Sequence, residues 1–144
     1  MTEIAQEPPT GSFQLSTDSW TKPFWDAAGR RELVACRCGN CGVFRMPPTP
    51  FCPTCLSQMV TWPRLSGHGE LYTFTIVRRV SGQATETRLP FVPAVIALPD
   101  ADGVRLVSNI IDTPISALRI GMPVIVRWST LIDGTVVPRF VLRG

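Results

Sequence analysis

The sequence predicts a mainly β protein in which a short N-terminal helix and a small cysteine-paired ribbon precede a compact β-barrel. Three observations carry this expectation. Two Cys-x-x-Cys pairs lie close together near the middle of the chain, five β-rich runs follow Gly69, and helical patterning is confined to one short stretch near residue 25. The expected division is a flexible lead over 1–17, the helix and ribbon over 18–66, and the barrel over 67–144.

With 144 residues, 44% of them hydrophobic and 17% charged, the chain can bury a real core and does not have the composition of a disordered protein. The net charge is +3, too small an excess to diagnose a nucleic-acid binder. All but one of the fourteen basic residues are arginine, which suits forked contacts with phosphates or carboxylates. The start of the chain has neither the basic residues nor the apolar run of a secretory leader. No segment approaches the roughly 18 apolar residues needed to span a bilayer, so a cytoplasmic protein with no membrane contact is expected.

The lead carries Pro8, Pro9, Gly11 and scattered polar residues without apolar periodicity, hence the expectation of flexibility. The helix is expected over about Lys22 to Arg31, with Thr21 as its cap and Pro23 tolerated in the first turn. Phe24 and Ala28 lie four apart and form one apolar side. Trp20, Phe24 and Trp25 are either anchors for a partner surface or a cap on the protein's own ribbon.

Leu33 to Arg37 reads as a strand running into Cys38-Gly39-Asn40-Cys41-Gly42, followed by Val43 to Met46 and a turn at Pro47, Pro48 and Pro50. After the second cysteine pair, Met59 to Trp62 forms a returning strand that Pro63 ends.

The first barrel strand is expected over Leu71 to Val77, rich in aromatic and β-branched residues. A polar loop follows over Ser81 to Arg88. Phe91 to Leu98 and Val104 to Ile111 make a hairpin around Pro99-Asp100-Ala101-Asp102-Gly103. Ile115 to Ile120 forms a single helical turn, and Val124 to Trp128 pairs with Thr135 to Leu142 through Asp133-Gly134. Five short strands with one helical insertion after the third point to a closed or nearly closed barrel of the OB type, because open strand edges are a liability.

Cys38, Cys41, Cys52 and Cys55 are two Cys-x-x-Cys pairs separated by ten residues. Each pair wraps a tight turn around one ion and presents two thiolates, and four sulfurs complete a tetrahedron. A closed shell of sulfur leaves no position for water, so one structural zinc is expected. Four thiolates also suit a rubredoxin-like iron centre, and free core cysteines are the bland alternative. Gly42 stands where a positive φ aims amides at sulfur. Cys36 breaks the knuckle spacing and is expected to be a non-ligand strand residue. His68, between Gly67 and Gly69, is expected in an exposed connector.

Phe24-Trp25, Leu33, the two cysteine knuckles, Pro47-Pro48, Trp62, Ser66-Gly67-His68-Gly69 and Tyr72-Thr73-Phe74-Thr75 occur in an order that resembles the zinc-ribbon OB-fold proteins associated with acyl-CoA metabolism. The likeness continues through Pro93-Ala94-Val95, Asp102-Gly103 and Ile120 to Val124, so it spans roughly residues 20 to 142. It implies a rubredoxin-like zinc ribbon and a five-stranded OB barrel. It also implies partnership with a thiolase-fold enzyme in a hetero-oligomer: a thiolase, an acyltransferase, a hydroxymethylglutaryl-CoA synthase assembly or a sterol-carrier-type aldolase. The catalytic cysteine or tyrosine would then belong to the partner. Cys36 and the loop between Val80 and Pro90 depart from the family pattern.

No nucleophile stands beside a base in the sequence and no carboxylates are paired, so no catalytic residue is assigned. Asp100, Asp102, Asp112 and Asp133 fall where turns favour Asp. Coenzyme A or an acyl-CoA, with its diphosphate and ribose phosphate, would meet arginines, and Arg78, Arg79 and Arg88 are the candidates. The second-ranked reading is single-stranded nucleic acid stacked on Tyr72, Phe74 and Trp128. Alternation along the strand places Tyr72, Phe74 and Ile76 on one face, which favours a core role for them. A third reading is an interaction module that holds a partner enzyme without touching its substrate.

Overall fold

A computed structural model describes residues 2–9, 15–79 and 88–144. Helix α1 spans Lys22–Gly29 and is followed by β1 (Cys36–Cys38), β2 (Phe44–Arg45) and β3 (Val60–Thr61), which form a three-stranded antiparallel sheet with β1 in the centre. Then come β4 (His68–Phe74), β5 (Val92–Leu98), β6 (Val104–Ile110), β7 (Pro123–Thr130) and β8 (Val136–Leu142). These five close into a barrel in the order β4-β5-β6-β8-β7. The expected mainly β architecture, a ribbon followed by a five-stranded barrel, is the observed one.

Closure depends on two joints. β6 and β8 run parallel and meet at Ile110 and Phe140, where the Ile111 amide donates to the Phe140 carbonyl at 2.9 Å. β4 and β7 pair from His68 opposite Ile125 to Glu70 opposite Pro123. Gly69 lets β4 lie close to both of its neighbours, because a Cβ there would come within 2.5 Å of the Ile96 side chain on β5 and 3.3 Å of Val124 on β7. Leu71, Val92, Ile96, Leu98, Ile110, Val124 and Phe140 fill the barrel. Phe24, Ala27, Leu33, Val34, Ala35 and Leu65 join the same apolar cluster, so the helix and the base of the ribbon pack onto the barrel.

Several elements differ from expectation. α1 stops at Gly29 rather than Arg31, because Arg31 takes a left-handed φ of 59°. Thr21 makes no side-chain capping bond; Asp18 Oδ1 instead accepts the Trp20 and Thr21 amides at 2.9 and 2.8 Å. The first barrel strand begins three residues earlier than expected, at His68, and ends at Phe74. His68 is therefore the exposed first residue of a strand, not part of a connector. A register shift between Leu71 and Thr73 breaks the alternation, so Tyr72 faces solvent while Phe74 packs against the core. The loop expected over Ser81 to Arg88 lies outside the described residues except for Arg88.

Residues 2–9, within the lead expected over 1–17, lie as a strap against the barrel. Ala5 is fully buried, its amide donating to the Thr113 carbonyl and its carbonyl accepting from Asp112, each at 2.9 Å. Gln6 donates to the Pro90 carbonyl at 2.9 Å, and Arg139 Nε donates to Glu7 at 3.1 Å. A side chain as small as that of Ala5 lets the strap lie flat against the barrel end, and the strap's backbone groups find partners there. Among the described residues, no helix is long and apolar enough to cross a membrane.

Candidate metal centre

The sulfurs of Cys38, Cys41, Cys52 and Cys55 converge, all within 4.8 Å of one another. The Cys38–Cys55 and Cys41–Cys52 separations are 3.5 and 3.6 Å. A tetrahedral zinc at its usual bond length to thiolate requires sulfurs about 3.8 Å apart, so the donor set fits such an ion without rearrangement. Among the described residues no second group of this kind occurs.

Local backbone geometry builds each half. The first knuckle turns at Gly42, whose φ of +81° is the left-handed value expected of it, and its amide closes on the Cys38 carbonyl at 3.1 Å. Asn40 and Cys41 amides both point at Cys38 Sγ at 3.4 Å. The second knuckle repeats the turn with the Leu56 amide on the Cys52 carbonyl at 2.9 Å, but Leu56 itself holds φ at +66°. A leucine thus occupies the conformation that glycine provides in the first knuckle, and it remains 72% exposed.

The electrostatics suit a cation. The Cys41 and Asn40 amides, acting against desolvation, hold Cys38 down to about 6, and those of Cys55 and Thr54 also lower Cys52. Cys41 accepts the Val43 amide, yet burial and the three neighbouring thiols push it up to about 12. Four thiols this close do not all ionise unaided, and a divalent ion supplies the missing charge as it displaces their protons. Cys36 is fully buried outside the quartet, where desolvation raises its pKa.

The family model described as the ChsH2 rubredoxin-like zinc ribbon domain matches residues 25–60, and the one described as the ChsH2 C-terminal OB-fold domain matches residues 62–129. Together they cover well over half of the chain. It belongs to the ChsH2 zinc-ribbon and OB-fold family. A solved structure named Ltp2-ChsH2(DUF35) aldolase superposes with a TM-score of 0.81 at 29% identity, covering 90% of this chain and 98% of that one. A probable enoyl-CoA hydratase alpha subunit of Thermomonospora curvata is 36% identical over 106 residues, which are 73% of this chain and 32% of that protein. The chain thus spans about a third of the length of that curated relative. A DUF35-family protein of unknown function from Sulfolobus solfataricus shares the fold, with a TM-score of 0.64 at 15% identity.

Outside the cysteines, this ChsH2-family chain scatters the other candidates. Arg78 is ion-paired with Glu3 of the N-terminal strap. Arg79 and Arg88 are exposed on either side of residues 80–87. All three arginines fall beyond the end of β4 rather than on it. Phe24 is buried and meets Trp25 edge-on at 5.0 Å, so both aromatics serve the protein's own packing. Asp100 Oδ2 accepts the Ser66 amide at 2.9 Å, and Ser66 Oγ accepts the His68 amide at 3.3 Å. These three residues tie the ribbon exit to the β5–β6 turn, and the Ser66 hydroxyl and amide together hold the Asp100 carboxyl below its ordinary range.

Two features had no reading in the sequence. Asn40 Nδ2 reaches across to Cys55 Sγ at 3.5 Å, joining the knuckles beyond their sulfurs. Arg45 is buried at 7% exposure opposite Cys36, and only pairing across the sheet reveals it.

Proposed function

We propose that this chain is a non-catalytic, zinc-containing subunit that binds a thiolase-fold enzyme and helps to form that enzyme's acyl-CoA site. The observation that carries this reading is the match, along nearly its whole length, to the chain in the Ltp2-ChsH2(DUF35) aldolase structure. Similarity to part of an enoyl-CoA hydratase alpha subunit supports the acyl-CoA association. Zinc in the four-cysteine site would be structural, since four sulfurs leave it no open position. Lipid, sterol or aromatic-acid metabolism in the cytoplasm is the setting we assign, with a partner that carries the catalytic group.

The ribbon offers a surface for such a partner. Val43, Phe51, Leu56 and Met59 are all exposed on or beside the knuckles, and apolar groups held out in water mark protein contacts. The strained Leu56 is the strongest of these signs. Arg79 and Arg88 are our candidates for the coenzyme A phosphates; Arg78 would first have to give up Glu3. Nucleic acid remains the second reading because Arg105 lies 3.8 Å over the ring of exposed Tyr72. Phe74 and Trp128 pack against the core, however, and leave Tyr72 without a stacking neighbour from that set.

Co-expression with a thiolase-fold enzyme encoded beside it tests the proposal. Co-elution on size exclusion, with turnover that depends on this chain, is the expected result. Separate elution and unchanged turnover would overturn it. A salt-dependent oligonucleotide shift would favour the second reading.

A further inference from the structure

Arg45 presents a charge problem that the ribbon's own residues do not solve. It lies in β2 directly opposite Cys36 of β1, and antiparallel partners share a face of the sheet. Cys36 and Cys38, two apart on β1, share that face as well and are both buried. Arg45 Nε and one terminal nitrogen donate to the Thr49 carbonyl at 3.1 and 2.8 Å, three residues before Cys52. The other terminal nitrogen is buried without a partner.

A buried guanidinium ordinarily stands against a carboxylate, as Arg139 does against Glu7. Arg45 makes no ion pair among the described residues, and the 37 residues from Leu33 to Gly69 contain neither Asp nor Glu. The only anionic group this stretch can create is the metal centre itself, because a divalent ion held by four thiolates is a net dianion. Its ligands lie on Arg45's sheet face and just beyond the turn that Arg45 grips.

We propose that Arg45 is the buried counter-cation of the four-cysteine metal centre and sets how tightly the ribbon holds its ion. This inference rests on the metal part of the function proposed above and not on the partner enzyme. Arg45 is a positioning residue: it bonds to no metal, but its charge lowers the energy of the dianion, and the dianion in turn compensates a cation otherwise stranded in the interior. Cys36, fully buried opposite Arg45 and two residues from Cys38, marks an interior where water does not screen the pair.

Zinc affinity of the full chain, measured by competition with a chromogenic chelator, tests the assignment through Arg45→Lys, Arg45→Gln and Arg45→Met. Arg64→Met serves as control, since Arg64 is exposed and its side chain pairs with Glu32 rather than with a knuckle. Arg45→Gln and Arg45→Met should weaken zinc binding about 10- to 100-fold, the range for residues that support metal ligands from behind. Arg45→Lys, which keeps the charge and loses the fork, should restore most of it, and Arg64→Met should leave it unchanged. A Gln variant that fails to fold while the Lys variant folds and binds zinc counts on the same side. Equal losses in Lys and Gln would reduce Arg45 to a bracket for the Thr49 carbonyl and overturn the proposal, as would affinity retained in all three. Absence of zinc from the wild-type chain would instead overturn the metal reading beneath it.

Discussion

The ribbon tip and the barrel are two halves of one chain held together by different physics. Strands of the ribbon are only two or three residues long, and most of its large apolar side chains face water or sit half-covered. Barrel strands are seven or eight residues long and enclose Leu71, Ile96, Leu98, Ile110 and Phe140 completely. Apolar burial at roughly 25 cal/mol per Å² stabilises the barrel without assistance. The tip lacks that area, and a structural zinc, worth on the order of 10 to 16 kcal/mol in isolated finger peptides, would supply what is missing. The difference teaches that a fold boundary can fall inside an apparent domain. Leu33, Val34, Ala35 and Leu65 belong by packing to the barrel's core, whereas residues from Cys36 to Thr61 are expected to depend on the ion.

The most damaging way to separate the halves is to remove a ligand. Cys55→Ser should abolish zinc binding and unfold the tip, while Cys36→Ser should keep one zinc per chain, both read by elemental analysis. Phe140→Ala attacks the other half. It empties the site where β6 and β8 meet and should cost the barrel about 3 to 5 kcal/mol in chemical denaturation, with zinc stoichiometry unchanged in the folded fraction.

Smaller changes sharpen the contrast. Glu7→Ala strands the mostly buried Arg139 and frees one end of the N-terminal strap, so about 1 to 2 kcal/mol of barrel stability should be lost without any effect on metal affinity. Leu56→Gly relaxes a left-handed leucine and should stabilise the ribbon by up to about 1 kcal/mol. The same variant should weaken association with the partner enzyme, measured by co-elution. Stability and binding moving in opposite directions would identify Leu56 as a residue retained for contact.

Much of this was legible before any coordinates. Paired cysteines at short spacing specify a metal knuckle because the turn that brings two sulfurs to one ion is local, and the left-handed glycine at 42 follows from the same turn. Five strands were readable from β-branched runs between Gly and Asp turns. What escaped was set by tertiary partners. The bulge at Tyr72 is a compromise between β4 and β5 and leaves no mark on β4 alone. The strap at residues 2–9 lacks periodicity because it buries only the small side chain of Ala5 and is otherwise held by backbone groups that fit the barrel's end. Arg45 reads as one more surface arginine until the β1–β2 register sets it opposite Cys36.

Hydrogen exchange on the purified chain, before and after zinc is stripped by a strong chelator, tests the division between tip and barrel most directly. Amides from Cys36 to Thr61 should lose their protection on stripping while those of the five barrel strands keep theirs. Uniform loss across both halves, or a tip that stays protected with no metal bound, would contradict the account.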